Sequence, residues 1–152
     1  MSTQTITVPH LGGITAGYQT SGPINPSKPT LVLINSFGTS SELYRDALTD
    51  PSLTSVMNLV AIELLGHGQT RVHKTEHWTY WDTAIMNLQV MEKLGVQKAF
   101  VLGTSQGGWV AVRMALVAPE RVCFSVKLFI SSKPQSPPPK KRGRHNGKNW
   151  HV

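Results

Sequence analysis

The chain has 152 residues, enough for one domain with a substantial core, and a formal charge of +7. The excess lies entirely at the C-terminal end: residues 1–122 hold eight Lys/Arg and eight Asp/Glu, whereas residues 123–152 hold seven Lys/Arg and no acid. A neutral body excludes a basic surface for nucleic acid or membrane spread over the domain, and a single cysteine, Cys123, excludes an internal disulfide framework and suits a reducing compartment.

In chain order, residues 5–8 and 15–19 are short β-prone runs separated by Gly12-Gly13, which predicts a hairpin. Residues 21–29 carry Gly22, Pro23, Pro26 and Pro29 and read as a loop. Leu31-Val32-Leu33-Ile34 is a continuous apolar run, as expected of a strand covered on both faces. A short helix is expected over residues 42–48, capped by Ser40 or Ser41 and ended by Asp50-Pro51. Residues 57–62 form a further strand, followed by a loop over residues 63–70. Residues 79–94 form the longest helix, with Tyr80, Ala84, Leu88, Met91 and Leu94 in one core-facing stripe and Gly95 closing it.

Residues 99–102 read as a buried strand that breaks at Gly103. Apolar residues then return at helical spacing: Val110, Met114 and Val117, with Ala111, Ala115 and Ala118 beside them. Strand, sharp turn and helix, with Ser105 at the turn of Gly103-Thr104-Ser105-Gln106-Gly107, is the setting of a nucleophile elbow. Gly103 and Gly107 leave room where a Cβ would clash with the neighbouring strand or helix. The Gln106 amide is placed at a helix N-terminus, where an unpaired N–H can receive a developing oxyanion. A hairpin followed by alternating strands and helices describes a mostly parallel sheet with helices on both faces, its ligand rim beyond the carboxyl ends of the strands. Residues 35–39, 63–70 and 103–107 converge there.

With these elements in place, residues 31–122 resemble the α/β-hydrolase superfamily in its single-domain branch. Leu33-Ile34-Asn35-Ser36-Phe37-Gly38 resembles the strand and His-Gly oxyanion loop of that family, with Asn35-Ser36 in place of His-Gly. Glu63-Leu64-Leu65-Gly66-His67-Gly68-Gln69-Thr70 resembles its Asp-x-x-Gly-x-Gly-x-Ser loop, with Glu63 for Asp. Gly103-Thr104-Ser105-Gln106-Gly107-Gly108 matches its elbow, and Ala118-Pro119-Glu120-Arg121-Val122 matches the segment that follows the elbow helix. The resemblance implies Ser105 as nucleophile, the backbone amides of Phe37 and Gln106 as the oxyanion hole, and a structural role for His67 in its turn. It implies attack on an ester, thioester or lactone carbonyl of a small molecule through an acyl-enzyme. No metal or other cofactor is expected, nor a nucleic-acid or membrane partner. The N-terminal and elbow regions look most like fungal members from secondary-metabolite and toxin pathways.

The same resemblance places an acid and then a histidine after the serine. After Ser105 the sequence has no Asp, and its one carboxylate, Glu120, is set by the helix roughly 18 Å from the elbow. His145 and His151 lie in a Pro-, Lys- and Gly-rich stretch with no element to hold them. A truncated α/β-hydrolase fold is therefore expected over residues 1–122, with an unrelated, basic, disordered tail over residues 123–152, the product of a shifted frame, read-through or a retained intron. Activity is expected to be absent or impaired, and a non-catalytic, partner-binding fragment is the alternative. Residues 124–130 are the one remaining strand candidate; without it the elbow strand would present an open, aggregation-prone edge. The polar N-terminus and the lack of any apolar run near the ~18 residues of a membrane span make the cytoplasm the expected location, with the basic run Lys140–Arg144 giving the nucleus as the alternative.

Overall fold

The predicted hairpin forms in the computed structural model, which describes residues 2–124. Strands β1 (Gln4–Val8) and β2 (Ile14–Thr20) pair antiparallel, with Val8 opposite Ile14. Between them the chain turns through positive φ at Leu11, Gly12 and Gly13, which explains the paired glycines. Strand β2 then pairs antiparallel with β4 (Asn58–Ile62), and β4 lies parallel to β3 (Thr30–Ile34). A two-residue strand, β5 (Arg71–Val72), adds to the start of β2. Strand β6 (Ala99–Gly103) is parallel to β3 on its other side, and β7 (Val122–Phe124) is parallel to β6. The seven-stranded, mostly parallel sheet has the order β1-β2-β4-β3-β6-β7.

Alternation along the strands divides the core. Val32, Ile34, Val60, Ile62 and Val101 face one side and pack with Met86, Val90, Met91, Val110 and Met114. Leu33, Leu59 and Ala61 face the other and pack with Tyr44 and Leu48. Helices α3 (Tyr80–Lys93) and α4 (Gln106–Val117) cover the first face. The second is covered by a 3-10 turn, Ser41–Tyr44, that runs into α1 (Arg45–Thr49). Each fully buried Leu, Met or Ile in these layers contributes about 1.5–3 kcal/mol by leaving water.

The helix ends follow from local chemistry. The Ser40 hydroxyl caps the 3-10 turn by accepting from the Glu42 amide. Asp50 does not simply end the helix before it. Its carboxylate accepts from the Ser52 amide at 2.8 Å and, with Pro51 in the first helical position, starts another turn, α2 (Pro51–Thr54). Helix α3 opens with a capping box: Thr79 accepts from the Trp81 amide, and the Asp82 carboxylate accepts from the Thr79 amide at 2.7 Å. The second Asp82 oxygen bonds the His10 ring at 2.9 Å, tying the helix to the hairpin turn. Burial pushes the Asp82 carboxyl up, but the Thr79 and His10 hydrogen bonds outweigh it and hold the group below its ordinary value. Gly95, at φ 74°, closes the helix.

Two stripe positions depart from expectation. Tyr80, the first residue of α3, is 40% exposed, and Val117, the last of α4, is 47% exposed. The buried face of α3 instead takes in Thr83, Met86, Asn87 and Val90 beside Ala84, Leu88 and Met91. Among the described residues no helix is long and apolar enough to cross a membrane. Residues 125–152, including most of the expected strand over residues 124–130 and the basic tail, lie outside the described residues.

Candidate active site

Strand β6 delivers Ser105 to the rim through a turn that few residues adopt. Ser105 has φ 52° and ψ −113°, and it stands immediately before the first turn of α4. Holding a serine there costs of the order of 1–3 kcal/mol, which the surrounding contacts must enforce. They are visible at the flanking glycines. A Cβ on Gly103 would overlap the Gly107 carbonyl and the Gly108 nitrogen, and one on Gly107 would overlap the Ile34 and Asn35 carbonyls. Strand, elbow and helix therefore approach at backbone distance, as the glycine spacing predicts. The Thr104 amide donates to the Ile34 carbonyl at 3.1 Å, and the amides of Gly107 and Gly108 turn back to the Thr104 and Ser105 carbonyls. The Ser105 side chain is exposed and caps no amide, and among the described residues it hydrogen-bonds to nothing.

A second loop abuts this turn. The buried Asn35 is its pivot. Its side-chain NH2 donates to the Thr39 carbonyl at 2.7 Å and the Ser36 carbonyl at 3.1 Å, and its oxygen accepts from the Leu64 amide at 3.0 Å. One side chain thus closes the 35–39 loop on itself and pins it to the 63–70 loop. Ser36 is accommodated beside Thr39, whose hydroxyl bonds the Ser36 carbonyl at 2.8 Å. The Tyr44 hydroxyl donates to the Ile34 carbonyl and meets the Thr104 hydroxyl, both at 2.8 Å, so it braces β3 against the elbow. Burial of that phenol pushes its pKa up, so it remains a neutral donor. Among the described residues, the backbone amides of Phe37 and Gln106 donate to no backbone or side-chain acceptor, which leaves both free for a ligand oxygen.

The third loop is organised by Glu63, which is 1% exposed. One carboxylate oxygen accepts from the Ser41 hydroxyl at 2.8 Å and the Ser41 amide at 3.2 Å, and the other accepts from the Gln69 amide at 2.6 Å. Gly17 and Gly68 lie against this carboxylate so closely that a Cβ on either would strike it. The longer Glu fits here because both neighbours lack side chains. His67 lies at the apex of the loop, between Gly66 and Gly68, both at positive φ. Its Nδ1 is 3.0 Å from the Leu65 carbonyl, and its ring meets the Phe37 ring edge-on at 5.7 Å. No hydrogen bond joins His67 to Ser105. Between the two loops lies an open cleft of about 400 Å³ lined by Gly38, Ser40, Gly66 and His67.

The structure therefore gathers Ser105, Gln106 and the 35–39 loop at one end of the sheet and keeps Glu120 at the exposed far end of α4. His145 and His151 lie outside the described residues. Among the described residues no three His, Cys, Asp or Glu side chains stand close enough to hold a metal ion. Tyr44 has no role in the sequence analysis, and the bonds of Asn35 to Leu64 and of Ser41 to Glu63 are not foreseen there, because their partners are distant in the chain; Ser41, a candidate cap, serves Glu63 while Ser40 caps the turn.

Three comparisons bear on this arrangement. The model of a family described as alpha/beta hydrolase fold matches residues 29–123. The uncharacterized hydrolase YugF of Bacillus subtilis is 31% identical over 96 residues, 63% of this chain and 34% of that protein. The 3-oxoadipate enol-lactonase 1 of Acinetobacter baylyi is 30% identical over 104 residues, 68% of this chain and 37% of that protein. Among solved structures, a hydrolase from Pseudomonas aeruginosa superposes with a TM-score of 0.68 at 28% identity, covering 82% of this chain and 44% of that one. The chain thus spans less than half the length of the relatives it matches.

Proposed function

Since the chain belongs to the alpha/beta hydrolase family, we propose that Ser105 is the nucleophile of an acyl-transfer site acting on a small-molecule ester, thioester or lactone. The observation that carries this reading is the strained backbone of an exposed serine at the head of a helix, with its hydroxyl committed to no other partner. The Ser105 oxygen adds to the substrate carbonyl carbon, and the charge that develops on the carbonyl oxygen is received by the free amides of Phe37 and Gln106. Collapse of the adduct breaks the bond from the carbonyl carbon to the alkoxy oxygen or sulfur, the Ser105 hydroxyl proton passes to the alcohol or thiol so formed, which stays tethered when the substrate is a lactone, and water then cleaves the acyl-serine to the acid and free Ser105. The enol-lactonase among the relatives supports an ester-like bond as the target.

A base within hydrogen-bond reach of the hydroxyl would complete the site. Among the described residues none stands there, and His67 is engaged with the Leu65 carbonyl. That observation favours a second reading, in which the chain binds ester-like ligands at this rim and turns them over slowly or not at all. A fluorophosphonate probe separates the two. Covalent labelling that disappears in Ser105→Ala supports a competent nucleophile. Absence of labelling, with the chain folded, refutes it and leaves the binding reading.

A further inference from the structure

Helix α4 presents Gln106, Trp109 and Arg113 at i, i+3 and i+7, so all three lie along one strip of its surface. That strip faces the first turn of α3. The Arg113 guanidinium lies 5.4 Å from the Tyr80 ring, 5.2 Å from the Trp81 ring and 6.0 Å from the Trp109 ring. One terminal nitrogen donates to the Trp109 carbonyl at 2.8 Å, which fixes the fork. The Arg113 Nε is buried and, among the described residues, has no acceptor. The same holds for the buried Gln106 Oε1, which lacks a donor. Both side chains line one cavity of about 330 Å³, walled by Leu65, Trp78, Tyr80 and Trp81.

We propose that this cavity is a binding subsite for an aromatic carboxylate. A buried guanidinium N–H without a partner is costly, and a carboxylate oxygen satisfies it with a charge-assisted hydrogen bond. Among the described residues no carboxylate pairs with Arg113, so its charge is available. Turned end for end, the Gln106 carboxamide offers a further N–H donor in the lining of the same cavity. The walls select the remainder of the ligand. Trp78, Tyr80 and Trp81 are 40–44% exposed and offer ring faces and edges against which a planar ring packs. A volume of about 330 Å³ admits a single substituted ring. An aliphatic anion would leave the ring faces wet, and a neutral arene would leave Arg113 unpaired. Gln106 directly follows Ser105 in the chain, so the subsite flanks the elbow, but its occupancy is an equilibrium independent of any reaction at Ser105.

The test is a titration of the full, nitrogen-15-labelled chain with benzoate, benzamide and acetate. Resonances of the Arg113 Nε–H and the Trp81 indole N–H report binding. Benzoate is expected to shift both saturably, with benzamide and acetate at least about tenfold weaker. Arg113→Met, which keeps the stem and removes the charge, is expected to weaken benzoate by about tenfold and leave benzamide unchanged. If that variant does not fold, the comparison of the three ligands on the unaltered chain decides alone. Absence of a saturable shift, equal affinity for benzoate and benzamide, or equal affinity for benzoate and acetate each overturns the proposal.

Discussion

Replacing Glu63 by Gln tests whether a buried carboxylate organises the rim. The substitution preserves size but turns one of the two acceptor ends into a donor. Both ends are in use: Ser41 approaches one oxygen with its amide and hydroxyl, and the Gln69 amide approaches the other. The least costly arrangement keeps the amide oxygen toward Gln69 and turns the NH2 toward the Ser41 hydroxyl, which can rotate to accept. The Ser41 amide is then left buried and unpaired. One orphaned donor costs about 1–3 kcal/mol, and losing charge assistance at the surviving bonds adds about 1 kcal/mol, for a total of about 2–4 kcal/mol. With a urea slope of about 2 kcal/mol per molar, the unfolding midpoint should fall by about 1–2 M. Glu76→Gln, on an exposed carboxylate, is the control and should stay within about 0.5 kcal/mol. Hydrogen exchange at the Ser41 amide, which loses its acceptor, should accelerate in the variant. A loss below about 0.5 kcal/mol for Glu63→Gln would refute the reasoning, since it would mean that water already serves these donors.

Ser105→Gly should raise stability by about 1 kcal/mol, as relief of the positive-φ strain exceeds the added chain entropy, and it should abolish fluorophosphonate labelling; a lower melting temperature would contradict the strain. Gly103→Ala should cost about 2–3 kcal/mol, because the new methyl meets helix backbone rather than a movable side chain, and a thermal melt reads the loss. Asp82→Asn should destabilise the chain at neutral pH. Because the folded carboxyl is held below its ordinary value, its stabilisation is complete above about pH 4 and is lost as pH falls through the folded value, so acid titrations of the two proteins should converge there.

Much of the frame is legible in the order of residues because the signals are local. The 2-residue period of the strands, the apolar stripe of α3 and the Gly103–Gly107 spacing each state a geometry within a few residues of themselves. Ser105 stands where that spacing predicts, and the flanking glycines meet backbone as a tight elbow requires. What the order conceals is pairing over distance. Nothing next to Asn35 announces that its side chain will accept from the Leu64 amide, or next to Arg113 that rings more than thirty positions earlier will surround it. Strand β5 is too short to leave a periodic trace, and the fresh turn after Asp50 arises because an acid before proline starts a helix as readily as it stops one.

The fixation of the 35–39 loop has a chemical corollary. Its fasteners are a carboxamide on Asn35, an alcohol on Thr39 and a phenol on Tyr44, none of which changes charge near neutrality. In the role proposed for Phe37, the bonds that aim its amide therefore carry the same charge on either side of neutrality.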